Sequence, residues 1–399
     1  LARSTHGGTL LRQRKPHEHN RVTAVELFFD LVFVFAITQI SHFLLAHFTP
    51  LGALQTAILM LAVWWVWVFT AWITNWLDPD QTAVRVMLFA LMIAGLLLST
   101  SIPAAFEGRG LVFALAFSAM QVGRSVFFVY AVPKSETGHR QNFIRISVWL
   151  GIGAVFWIAG GIAQGEIRIG LWLVALLIEY VGPAMRFRIP VLGASSTQDW
   201  IVEGGHMAER CAGFIIIALG ESIVVTGATF SEAAWTATTV AAFLVALIGS
   251  ITMWWIYFHL GAEAGSEHAS KAEDTGRFAR LAYTYLHLPI VTGIVISAVG
   301  DELLLAHPDG HSGVREIIGM IGGPLVYLAG VILFKQSIRG HLQPSHLAGI
   351  GLFVILTPFA HLLTPLALSA ATTTILLVVA TWEAISLGSK SGHSEATNS

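Results

Sequence analysis

Twelve apolar runs of about 20 residues follow one another with only short polar breaks, and that pattern leaves the chain almost no choice of fold. The runs lie near 23–47, 52–76, 83–105, 110–132, 142–163, 169–188, 204–228, 235–260, 277–299, 315–335, 346–365 and 368–387. In hydrocarbon each backbone N–H and C=O has to be satisfied inside the protein, so runs of this length are expected to be helices. Composition agrees: 55% of the residues are hydrophobic and 12% charged, whereas soluble domains carry about 25% charged residues. The expected fold is an all-α integral membrane protein of twelve transmembrane helices.

The basic residues test that count. With the first 21 residues on the cytoplasmic side, alternate loops fall on alternate sides of the membrane. Of the 22 Lys and Arg, the outer loops then hold Arg109, Arg168 and Arg315, Arg124 and Arg210 fall within spans, and all the others are on the inner side. A missed or invented span would mix the two groups. Both termini are therefore expected in the cytoplasm, with the chain in a cell membrane. The run after Arg21 is too long for a cleavable leader and is read as the first span. No loop is long enough for a soluble domain, and the single cysteine, Cys211, excludes an intrachain disulfide.

Polar marks recur along the chain. Placing Glu26 over Glu209 aligns "ELFFDLVFVFAITQI" with "ERCAGFIIIALGESI"; in the following spans "WWVWVF" at 64–69 then lies over "WWIYFH" at 254–259. The sixth and twelfth spans each carry a Trp and a Glu, Trp172 with Glu179 and Trp382 with Glu383. These matches predict two parallel six-helix repeats, because an even number of spans per half preserves orientation. The expected organisation is a basic tail at 1–21, a first repeat at 22–188, a cytoplasmic linker at 189–203, a second repeat at 204–387 and a polar tail at 388–399.

The first span "VELFFDLVFVFAITQISH", the seventh "GGHMAERCAGFIIIALGESIVVTG" and the tandem tryptophans resemble the bacterial low temperature requirement A family over nearly the whole chain. That family is named for a cold-growth phenotype, and the resemblance implies little about mechanism. From Arg21 to Thr38 the pattern R-x7-FDLVFVFAIT is also similar, more distantly, to the opening of each repeat in the lysosomal and prokaryotic potassium channels built from two six-helix repeats. That similarity implies a pathway lined by the first helix of each repeat, with an apolar constriction. The chain departs from the channel pattern at Phe29, which replaces a serine, and at Gly213, which stands where the first repeat has Asp30.

An ionised residue inside the bilayer costs roughly 2.5–3.5 kcal/mol on insertion scales and usually faces a bundle interior or water. Glu26, Asp30, Arg124, Glu179, Glu209, Arg210, Glu221 and Glu383 are the charged candidates, with His42, His206 and His259 as secondary polar ones. Helical spacing puts Glu26, Asp30, Phe33, Ile37, Ile40 and Leu44 on one face. Two readings stand. In one, the carboxylates form a wet acidic mouth, with Arg124 offsetting several of them and Phe33, Ile37 and Ile216 narrowing the path above; in the other, they complement the helix dipole and pair with Arg124 or Arg210. Gly213, Gly220 and Gly227 share a face of the seventh helix with Glu209 and are expected to allow close helix packing. Glu221, off that face, is the deepest proton or cation candidate, against a neutral, hydrogen-bonded Glu.

His206 with Glu209 and His259 with Glu263 have ligand-like spacing, yet no paired-His zinc motif occurs, so no metal and no cofactor is expected. Phosphate loops, hydrolase elbows and nucleic-acid surfaces are absent from the sequence. The functional expectation is an ion channel or transporter, more readily than an enzyme, whose partners are the bilayer, a small ion or solute and, in one arrangement, a second copy of the chain. Two alternatives remain: a membrane-embedded enzyme acting on a lipid or isoprenoid, and a non-catalytic membrane adaptor or cold-response factor. The orientation has a direct test in a chain carrying Cys211→Ala. Arg109→Cys and Arg315→Cys are expected to react with an impermeant maleimide on intact cells, and Lys134→Cys and Lys390→Cys only after permeabilisation.

Overall fold

A computed structural model describes residues 9–12, 21–195, 202–259 and 275–396. All twelve expected spans are helical: α1 Ala24–Ala46, α2 Pro50–Trp76, α3 Thr82–Ala104, α4 Gly110–Ala131, α5 Thr137–Ile162, α6 Gly165–Ala184, α7 Gly204–Glu232, α8 Ala237–Phe258, α9 Gly276–Ala306, α10 Val314–Arg339, α11 Pro344–Leu362 and α12 Pro365–Ala396. Their ends carry local signals. Thr49 accepts from Gly52 N at 3.0 Å with Pro50 at the first helical position of α2. Thr236 accepts from Thr239 N at 3.2 Å at the start of α8. Gly340, in the left-handed region with φ 73°, ends α10.

The helices are apolar on both faces, which a water-soluble bundle does not tolerate. On α1, Phe29, Phe33, Ile37 and Ile40 are buried, while Leu27, Phe28 and Leu31 are 50%, 53% and 56% exposed. Exposed side chains of this kind recur on the other spans, among them Ile93, Val155, Leu177 and Ile355. The outward apolar face matches lipid, and the chain is a multi-pass membrane protein.

The chain divides into two compact units. One takes the chain through Arg210 and a short segment ending at Arg277; the other begins at Cys211 and resumes at Phe278. In the first, α4 packs on α3 and α5, α5 on α6, and α1 on α2 and α3. Its core centres on α2, where Trp64, Trp65 and Trp67 are buried and Tyr180 OH donates to Leu61 O at 3.0 Å. In the second, α9 packs on α10, and α12 on α8 and α11. Small residues bring α9 and α10 together: a Cβ on Gly293 would lie 2.3 Å from Tyr327 N, and one on Gly300 2.7 Å from the carbonyl carbon of Gly319.

Several expectations change. The first two turns of α7, placed in the second repeat by sequence, belong to the first unit. Helix α9 continues to Ala306, seven residues past its expected end at 299, and so takes Asp301 into the span. Helix α12 runs through most of the segment read as a polar tail. The glycines expected to draw α7 against a neighbour do not: among the described residues a Cβ on Gly213, Gly220 or Gly227 would meet nothing within 4 Å. Spacing selects a face of small residues, but only the fold decides whether another helix covers it. The two tryptophan pairs also differ, since Trp254 and Trp255 are each 43% exposed. Parts of the N-terminal tail, the linker and the C-terminal tail lie outside the described residues, as do Glu263 and Lys271.

The glycine contacts predict an asymmetry. Gly293→Ala, forced against the backbone of α10, is expected to cost about 1–3 kcal/mol and lower the melting temperature in detergent, whereas Gly151→Ala on α5, with nothing within 4 Å of its added carbon, leaves it unchanged.

Candidate functional site

The opening turns of α1 carry the densest buried charge. Glu26, in the first turn, is fully buried. Its Oε2 accepts from Thr23 N and Thr23 Oγ1, both at 2.9 Å, which closes the helix end as a capping box. The same oxygen accepts from Arg12 Nη2 at 3.0 Å, and Oε1 lies 2.9 Å from His206 Nε2. Residues 9–12 reach this point because Arg12 N donates to Trp76 O at 2.8 Å and Asp78 N to Leu10 O at 2.9 Å, while Arg12 Nε donates to Thr74 O at 2.7 Å. His206 is oriented from the other side by Asn75, whose Nδ2 is 3.2 Å from His206 Nδ1. A donation from Asn75 there assigns the ring proton to Nε2, directed at Glu26. Asn75 also accepts from Glu203 N and donates to Glu203 O, both at 2.9 Å, which ties the end of α2 to the start of α7.

One turn further along α1, Asp30 Oδ1 accepts from Trp67 Nε1 at 2.8 Å and from Arg210 Nη2 at 2.7 Å. The guanidinium also lies over the Trp67 ring, 5.7 Å from its centroid, as a cation–π contact. Asp30 and Arg210 are each 1% exposed. Among the described residues, Asp30 Oδ2 and Arg210 Nε and Nη1 have no hydrogen-bond partner. The pair is thus closed by one short contact and retains unused donor and acceptor capacity on both sides, an uncommon state for buried charge.

Two further clusters match each other in arrangement. In the first unit, Arg124 of α4 donates to Val66 O of α2 at 2.9 Å and to Thr70 Oγ1 at 2.7 Å, and also bonds Gln121. Gln121 Nε2 in turn donates to Glu179 Oε2 of α6 at 2.8 Å, and Trp157 Nε1 to Oε1 at 2.9 Å. In the second unit, Lys335 of α10 donates to Ile256 O of α8 at 2.9 Å and to both oxygens of Glu383 of α12 at 2.7 Å. His346 Nε2 and Arg339 Nη1 stand 3.8 and 3.9 Å from the same carboxylate. Val66 and Ile256 are the carbonyls that fall over one another when the two tryptophan motifs are aligned.

The sequence candidates separate accordingly. Glu26, Asp30, His206 and Arg210 come together, and Phe33 and Ile37 are buried above them on the same face of α1. Arg124 does not offset these carboxylates; it serves Glu179 through Gln121. Glu26 and Asp30 are not free acids at a mouth, since each faces a cationic side chain. Glu209 is exposed and accepts from Val22 N at 3.1 Å. Ile216 is 53% exposed, His42 is exposed, and His259 caps α8 with its ring stacked on Trp255 at 4.9 Å. Glu221 is buried in the second unit. Sequence reasoning missed Arg12, Asn75, Gln121, Lys335, His346 and Asp301: the first lies in a tail, and the others look like loop or ordinary helix residues until the fold pairs them. Lys335 carried one signal, a cation at the very end of an apolar run.

A twelve-helix fold with ion pairs enclosed in its apolar spans defines a polytopic membrane protein whose charges are built into the bundle. Residues 21–381 match the family model of the bacterial low temperature requirement A protein, LtrA. The chain is also 41% identical over 374 residues to an uncharacterized protein of Rhizobium meliloti (strain 1021), an alignment covering 93% of this chain and 90% of that relative. The chain belongs to the LtrA family. No solved structure matches it.

The buried pair generates a double-mutant prediction. Asp30→Asn alone leaves Arg210 buried without a counter-charge and is expected to cost about 3–5 kcal/mol. Arg210→Gln added to it should restore part of that loss, giving a coupling of at least about 1 kcal/mol in thermal unfolding of the detergent-purified protein.

Proposed function

We propose that this LtrA protein is a membrane transport protein for a small ion or solute, with a pathway that begins at the charge cluster of α1 and the first turns of α7. The observation that carries this reading is the Asp30–Arg210 pair: two buried charges within apolar spans, joined at 2.7 Å, with further donor and acceptor atoms unused. Ionisable groups inside spans are expensive and mark ion and substrate pathways more often than they mark architecture. A single short contact can also be exchanged for a permeant ion or for water, so the pair acts as a closed gate. Breaking it frees a carboxylate for a cation, and Phe33 and Ile37 continue the same face of α1 as an apolar stretch.

Matching knots in the two units support a duplicated, parallel-repeat architecture. In each, a cation on the fourth helix of the half bonds a carbonyl on the second and reaches a Glu on the sixth, directly or through Gln121. Duplicated bundles are a recurrent plan of secondary transporters. Membership of a bacterial family supports a bacterial cell membrane location, and the distribution of Lys and Arg supports both termini in the cytoplasm.

Reconstitution in liposomes provides the test. The purified protein is expected to move Na+, K+ or H+ down an imposed gradient faster than empty vesicles. Asp30→Asn should change that rate by about tenfold or more, the equivalent of about 1.4 kcal/mol in a barrier, with the double variant Asp30→Asn, Arg210→Gln leaking most. Folded protein that moves none of the three ions under any gradient would refute an ion pathway.

A further inference from the structure

The second unit contains a polar cavity that is separate from the α1 cluster and contains none of its residues. It has a volume of about 20 Å3 and lies among α8, α9, α10 and α12, and about 10–15 Å3 is enough to hold one water. Its polar lining is one carboxylate, Asp301, and five hydroxyls, those of Ser250, Ser297, Ser369, Thr372 and Thr373. No Lys, Arg or His contributes to it among the described residues. The five hydroxyl residues are all buried, and Asp301 is partly exposed.

How these hydroxyls are bonded matters. Ser297 Oγ donates to Gly293 O at 2.9 Å and Thr372 Oγ1 to Ser369 O at 2.9 Å. A hydroxyl that gives its proton to its own helix presents its lone pairs elsewhere. At the carboxylate, Ser222 of α7 lies 3.5 Å from Asp301 Oδ2 and 3.4 Å from Ser250 Oγ, which links two sides of the cavity. The backbone makes room for this arrangement. Helix α10 passes the cavity as a π-helical segment, Ile318–Gly322, which contributes Gly319 and Met320 to the wall. Such π segments inside α-helices are frequent at functional sites. Gly249, also in the wall, faces Thr373, whose Oγ1 would lie 3.3 Å from a Cβ there.

We propose that this cavity is a binding site for one sodium ion, held by the Asp301 carboxylate and by hydroxyl oxygens from α8, α9 and α12. The donors are predominantly oxygens, the ligands of hard cations; Met253 and Met320 supply only thioethers. A single carboxylate neutralises one positive charge, so a divalent ion would leave a net charge in an otherwise uncharged lining. The space of about one water admits either dehydrated alkali ion, and a carboxylate among the ligands, a strong-field anion, favours the smaller sodium ion. Ligands drawn from three helices of one unit would also make occupancy a clamp on their packing, whether or not the α1 cluster conducts.

Thermal unfolding of the full-length protein in detergent tests the site without reference to transport. At constant ionic strength, replacing choline chloride by sodium chloride is expected to raise the melting temperature saturably, with potassium chloride giving a smaller rise or none. Asp301→Asn should abolish the sodium response. Ser250→Ala and Thr373→Val, which keep the carboxylate and remove one oxygen each, should raise the half-saturating sodium concentration by about tenfold, or about 1.4 kcal/mol of binding, and they carry the test if the Asp301 variant does not fold. Equal responses to all three chlorides, or an unchanged sodium response in the folded variants, would overturn the proposal.

Discussion

A charge that enters hydrocarbon is cheapest when it brings its partner with it, and three buried carboxylates of the described residues do so. Arg12 and His206 accompany Glu26, Arg210 accompanies Asp30, and Lys335 accompanies Glu383. Arg124 bonds a backbone carbonyl, a threonine and a glutamine that relays it to Glu179, and its Nε has no partner among the described residues. Lipid offers neither water nor counter-ion, so the bundle can assemble only in ways that close these contacts. The apolar side chains do not impose such a choice, because in lipid they lose little by facing outward.

The constraint explains why the first unit continues through Arg210. The start of α7 is anchored there by polar attachments that include Asn75 to Glu203 and His206, Glu26 to His206 and Asp30 to Arg210. Beyond Arg210 the helix carries Cys211, Phe214 and Ile215 into the second unit's core. A helix that is fixed by ion pairs at one end and by apolar contacts along the rest has two kinds of restraint in series. The first kind can be exchanged for water or ions at modest geometric cost, and the second cannot.

The spans were legible because hydropathy over about 20 residues is a property of the chain alone, and each predicted run lies on a helix within a few residues. The charged face of α1 was legible for the same reason: Glu26, Asp30, Phe33 and Ile37 share helical spacing, and all are buried. Partners were not. Asp30 and Arg210 are 180 positions apart, and no periodicity links them. Arg12 is one of several basic residues in a polar tail until a bridge to the end of α2 carries it to Glu26. Asp301 lay just past the end of its apolar run, and only the continuation of α9 to Ala306 puts it beside hydroxyls from other spans.

By itself the sequence determined the number of spans, the helical class, the family motifs and which face of α1 is polar, because these depend on local composition and on a fixed 100° step. Tertiary structure decided what each charge meets. It chose paired ions over an acidic mouth, left the glycine face of α7 without a close neighbour among the described residues, moved the close helix contact to Gly293 and Gly300, and gathered one carboxylate and five hydroxyls around a space of about 20 Å3. Those outcomes depend on contacts between spans far apart along the chain, and a pattern read along one helix carries no record of its neighbour.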